Sequence, residues 1–175
     1  MLLATILNYH NLKAIDENQS YAFDHRIERI LLIEDIKYDL SQQELYLRNY
    51  YLQQTPENKE KLATYTEKLQ QNIAAFKESS SEQSIESAKQ LEQYNIEYAN
   101  VVDDAIRAIE LDQHDIALSY LNGSLLQKAS FKMAEITTEM SEGQQLGLQM
   151  TKETNSETIS MSKRISFSTL IVGML

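Results

Sequence analysis

The chain has 175 residues, enough for one sizeable core, with 42% apolar and 24% charged residues. A net charge of −10 argues against nucleic acid, which needs a basic surface, and against adsorption to anionic lipid. Four glycines and one proline favour long helices over a turn-rich sheet, and the lack of cysteine removes disulfides, thiolate metal sites and thiol catalysis.

The apolar start, Met1-Leu2-Leu3-Ala4-Thr5-Ile6-Leu7, is too short for a signal peptide with its basic flank and cleavage site, and reads as the tail of a first membrane span. From Leu2 to Gln54 no residue breaks a helix. Ile27, Ile30, Ile33, Ile36, Leu40, Gln43, Leu47 and Tyr50 recur at spacings of three and four, so they predict one wide inward stripe. Gln54-Thr55-Pro56-Glu57 marks a boundary: Thr55 is placed to cap the next helix, Pro56 suits its first turn, and Glu57 favours its positive end.

The second predicted helix carries Leu62, Tyr65, Leu69, Ile73 and Phe76 on one face and ends in the serine-rich run from Glu78 to Ser84. A third, from about Gln83 to Glu110, carries Ala88, Leu91, Asn95, Tyr98, Val102, Ala105 and Ile109. Asp112 is placed to cap the fourth helix, with Asp115 in its first turn. That helix is expected to run unbroken from His114 to Arg164. Ile136, Met140, Gly143, Gly147, Met150, Thr154 and Met161 form a heptad-like seam along it, interrupted by Glu157. The Gly143-x-x-x-Gly147 spacing would let a second helix approach closely.

After Lys163-Arg164 the run from Ile165 to Leu175 contains no charge. A span needs about 20 apolar residues, and this run holds roughly half of that, so it reads as the start of a second span. The expected fold is all-α: an up-down-up-down four-helix bundle with two long outer helices extending as a stalk into membrane spans. The expected division is 1–7 as the end of the first span, 8–164 as an extracytoplasmic sensor bundle, and 165–175 as the start of the second span.

Helical bundles also host di-iron centres, which require Glu-x-x-His on two helices. His10, His25 and His114 are preceded at that position by Leu7, Ala22 and Leu111, and no two histidines fall at i, i+4, so neither metal nor cofactor is expected. No nucleophile–base arrangement and no glycine-rich phosphate loop is identifiable. The expectation is a non-enzyme.

Near the Pro56 turn, Arg48 shares a level with Asp104 and Tyr120, and Tyr51, Tyr65 and Tyr98 lie within about a turn of it. Arginine offers a fork to a carboxylate and tyrosine a flat wall with a hydroxyl, so this layer is a candidate site for a small acid, an organic acid or an amino acid. In the competing reading Arg48 pairs with Glu44 or Asp104 and the tyrosines serve core and surface.

The chain resembles the four-helix-bundle sensor domain of methyl-accepting chemotaxis proteins, the bacterial transmembrane chemoreceptors. The residues that carry the likeness are Ile36-Lys37-Tyr38-Asp39-Leu40 leading to Leu47-Arg48-Asn49-Tyr50-Tyr51-Leu52, the Thr55-Pro56-Glu57 turn, and Asp112-Gln113-His114-Asp115-Ile116-Ala117-Leu118. The resemblance implies an extracytoplasmic domain in the cell membrane that senses a small ligand directly or through a ligand-binding protein. It also implies a homodimer packed through the first and last helices, and output as a small displacement of the last helix. Input domains of histidine kinases and cyclases look similar. A membrane-anchored structural bundle without a ligand is the reading from a different class.

Overall fold

A computed structural model describes the backbone of residues 2–174 except 83, and the side chains of residues 20–158 except 83 and 155. Five helices follow one another: α1 (Leu2–Leu52), α2 (Pro56–Glu78), α3 (Ile85–Glu110), α4 (His114–Leu121) and α5 (Ser124–Met174). No strand is found among the described residues. The chain divides into two compact units, one of residues 29–142 and one of residues 1–28 with 143–175.

The larger unit is an antiparallel bundle of α1, α2, α3 and the final helical stretch, and its side-chain pairs fix the directions. As α1 advances from Glu34 to Glu44, its hydroxyl partners on α5 step back from Ser141 to Ser130. Asp39 and Gln43 likewise meet Asn72 and Thr66 on α2, and Lys59 and Lys77 of α2 meet Glu110 and Glu92 of α3. Between α1 and α3 the partners advance together, Arg29 with Ser84 and Tyr50 with Glu110.

The apolar stripes close the core as their periodicity requires. Ile33, Ile36, Leu40, Gln43, Leu47 and Tyr50 of α1 are buried, as are Leu62, Leu69, Ile73 and Phe76 of α2 and all seven residues predicted for α3. Leu126, Ala129, Met133, Ile136 and Met140 complete it from α5. Ile27, Ile30 and Tyr65 are half-buried. Thr55 caps α2 as expected, its hydroxyl accepting from the Asn58 amide at 3.2 Å, with Pro56 at the first helical position.

The connection after α3 departs from expectation. Asp112 does not cap the following helix; it ends the preceding one, with φ 55°. The Gln113 amide reaches back to the Ala108 carbonyl at 2.9 Å and the Asp112 amide to that of Ile109 at 3.1 Å. This is the paired closure that a left-handed residue after a helix makes possible, usually with glycine in that place. Aspartate tolerates the conformation better than most side chains.

The second departure is larger. The unbroken helix expected from His114 is interrupted at Asn122-Gly123, leaving α4 with 8 residues and α5 with 51. Gly123 does not have a positive φ, so backbone freedom is not its role. Its role is space: a Cβ there would lie 2.8 Å from the Ser119 carbonyl oxygen and 3.2 Å from that of Tyr120. A bulkier residue would push the two helical segments apart.

In the smaller unit the side chain of Arg26 lies against Gly147, where a Cβ would come within 2.0 Å of Nη1. Gly143 faces open space. The two glycines of the predicted seam therefore differ in role. Gly143→Ala is expected to add up to about 1 kcal/mol of stability through helix propensity alone. Gly147→Ala should gain clearly less, because Arg26 must swing away. Urea unfolding of the two variants side by side measures the difference.

Of the remaining seam residues, Ile136 and Met140 are buried and Met150 is 60% exposed; Met161 lies outside the described side chains. The apolar ends at 1–7 and 165–175 also lie outside the described side chains. Among the described residues no helix is long and apolar enough to cross a membrane.

Candidate ligand site

A cleft of about 380 Å³ opens in the larger unit beside the break in the final helix. From α1 it takes Glu44, Leu47 and Arg48, and from α3 Tyr98. Leu121 and Asn122 line it at the break itself, and α5 adds Leu126, Gln127, Ser130, Phe131 and Ala134. The break makes the cleft: residues on both of its sides line one cavity.

Glu44 and Arg48 project the same way because four residues make about one helical turn. They do not form an ion pair with each other. Glu44 accepts a hydrogen bond from the Ser130 hydroxyl, which ties α1 to α5 at the cleft wall. Arg48 is exposed and makes no ion pair within 4.0 Å among the described residues. Gln127 donates its amide to the Asn122 carbonyl at 3.3 Å, spanning the start of α5 and the break.

Tyr98 forms the inner wall. Its side chain is fully buried, yet its hydroxyl has no hydrogen-bond partner among the described residues. Burial pushes the phenol's pKa far up, the Glu44 carboxylate adds to the shift and the Arg48 cation opposes it. The group is a neutral hydroxyl set between two opposite charges, with an unused proton to donate. An orphaned buried hydroxyl costs free energy, and an acceptor entering the cleft would offset that cost.

Of the six residues expected to form one layer, the structure brings only Arg48 and Tyr98 into the cleft wall. Tyr51 points to the start of α4 and meets the His114 ring edge-on at 6.2 Å. Tyr65 stacks on Tyr46 at 5.6 Å and meets Tyr38 edge-on at 6.1 Å. Asp104 pairs with Arg107 one turn along its own helix, at 3.4 Å. Tyr120 is half-buried and packs against the core without lining the cleft. Counting residues from a turn sets height along the bundle axis; the direction around each helix decides which side chains meet.

Asn122, Gln127, Ser130 and Phe131 were not among the expected site residues. The signal for them was the Asn122-Gly123 dipeptide, a turn marker inside an otherwise helical pattern. Among the described residues no group of acidic, histidine or cysteine side chains is placed to hold a metal ion.

These elements define an all-helical bundle with a small-molecule-sized cleft between its first and last helices. No family model and no curated protein matches the chain. Among solved structures it is similar to a chain of the XylFII-LytSN complex, with a TM-score of 0.63 and 15% identity, over 68% of this chain and 97% of that one. At that identity the likeness is one of fold.

Proposed function

We propose that the chain is a sensor domain of a bacterial transmembrane signalling protein, binding a small acid in the cleft and passing the signal along its last helix. The observation that carries this is the cleft itself: an unpaired arginine and a buried, unpartnered tyrosine hydroxyl beside a helix break. A bound molecule would touch Leu121 before the break, Asn122 in it, and Leu126 and Gln127 after it. It would therefore favour one angle or spacing of α5 relative to α4, through different affinity for the two positions. Because α5 is continuous from Ser124 to Met174, a displacement at its start would be carried along the helix.

The fold likeness is in keeping with a sensor bundle in general terms; the chemoreceptor form of the reading rests on the motif resemblance, which input domains of histidine kinases and cyclases share. A ligand-binding protein is a second route of input on this reading, and the chain of similar fold itself comes from a complex. The reading requires no catalysis and no cofactor.

On this reading the apolar ends are membrane spans and the segment between them is extracytoplasmic. Single cysteines at Ser81 and Ser124, both exposed, should react with an impermeant thiol reagent in whole cells carrying the full-length protein. Labelling only after lysis would contradict the topology and with it the sensor reading.

The reading also includes a homodimer. Leu31, Tyr38, Leu45 and Leu52 are 59%, 55%, 46% and 74% exposed and lie seven residues apart on α1, the spacing of a helix–helix seam. Sedimentation of the full-length protein at low concentration should give a dimer, and Leu31→Glu with Leu45→Glu should return it to monomer.

A further inference from the structure

We propose that the cleft selects a small monocarboxylate with a compact apolar body and discriminates against dicarboxylates. The inference rests on the reading of the cleft as a ligand site and adds its specificity. Among the described residues the Arg48 guanidinium fork has no ion-pair partner and the Tyr98 hydroxyl no acceptor, and both residues line the cleft, so a single carboxylate bridging them would answer both. The same wall carries Glu44, one turn away, whose carboxylate already takes the Ser130 hydroxyl. A second anionic group on the ligand would face that charge in a partly desolvated space, and Glu44 therefore acts as the excluding element.

Beside the polar Asn122, Gln127 and Ser130, the wall has an apolar part. Leu47 and Leu126 are buried at the base, Leu121 is half-buried, and Phe131 stands at the mouth with 66% of its surface exposed. An exposed phenylalanine beside a cavity gains by covering an apolar ligand. A cleft of about 380 Å³ lies at the lower end of the range for small-molecule sites, which suits a compact body rather than an extended chain.

The test uses the purified full-length protein in detergent or nanodiscs, with phenylacetate, phenylacetamide, succinate and phenylalanine as probes in isothermal titration. Phenylacetate should bind saturably. Phenylacetamide, which lacks the charge, and succinate, which lacks the apolar body and brings a second charge, should each bind roughly tenfold more weakly or worse. Arg48→Gln should abolish the preference for phenylacetate over phenylacetamide, and Phe131→Ala should weaken phenylacetate roughly tenfold. Both positions are exposed, so both variants keep the core intact.

Glu44→Gln should bring succinate closer to phenylacetate. Succinate binding as tightly as phenylacetate in the wild type, or a neutral Phe131→Ala, would overturn the assignment while leaving a ligand site in place. Tighter binding of phenylalanine would mean that Glu44 attracts an ammonium group, and would overturn it too. No saturable binding of any probe, in protein whose topology test succeeds, would overturn the assignment and leave the membrane orientation untouched.

Discussion

Phe76→Ala should destabilise the bundle of residues 29–142 by about 3–5 kcal/mol, the cost of emptying a large aromatic site that cannot collapse. Phe76 is fully buried, on the last full turn of α2. The Arg29 guanidinium carbon lies 4.9 Å from the centre of its ring, and Arg29 is itself only 5% exposed. The aromatic face is thus part of what makes a buried cation tolerable, in addition to the 2.6 Å hydrogen bond from Arg29 to Ser84. Phe76→Leu restores most of the volume without the ring face. It should recover a large part of the loss and leave a deficit of about 1–2 kcal/mol that Arg29→Met removes. Chemical unfolding of the three variants gives the comparison. An equal cost of Arg29→Met in the parent and in Phe76→Leu would show that the cation–ring contact contributes nothing.

Tyr98→Phe should do the opposite to stability and also weaken binding. Removing one oxygen deletes a fully buried hydroxyl that finds no acceptor, and such groups cost about 1–3 kcal/mol. The ring stays, so no cavity forms and the packing against α1 and α5 is kept. The variant should therefore be more stable than the parent by about 1 kcal/mol in the absence of ligand. If the hydroxyl is held in reserve for a ligand, the same substitution should lower affinity for phenylacetate severalfold, a trade of function for stability. Denaturant midpoints and titrations on the same preparations decide it. A loss of stability in Tyr98→Phe would mean that the hydroxyl has a partner in solution, and the argument for a waiting ligand would fall with it.

Much of the bundle was legible because helical periodicity is a local property. The stripes on α1, α2 and α3 identify nearly every core residue that those helices contribute, since a side chain at i and another at i+3 or i+4 must share a face whatever lies opposite; Leu126, Ala129 and Met133 of α5 lie outside the predicted seam. The start of α2 was equally local: Thr55 and Pro56 act on backbone groups within one turn. Asp112 escapes a local reading because a capping aspartate and an aspartate in the left-handed position after a helix are the same residue in the same place. The chain's path beyond it selects between them.

The site was legible only in part. Arg48 announced itself as a charge on a tyrosine-rich stretch, but its true neighbours come from a segment more than 70 residues away in sequence, beyond Asn122-Gly123. Without the break, the residues of a continuous helix would present a different set of side chains to α1. A few residues without helical geometry turn everything after them about the axis. Spacing along one chain is enough to say that this protein is a bundle of long helices and which faces turn inward, that of Tyr98 among them. That the Tyr98 hydroxyl goes unanswered among the described residues, and that Glu44 and Arg48 share a wall with Phe131, emerges only in the folded bundle. Those facts depend on how four helices are rotated against one another, and rotation is set by the whole packed core at once.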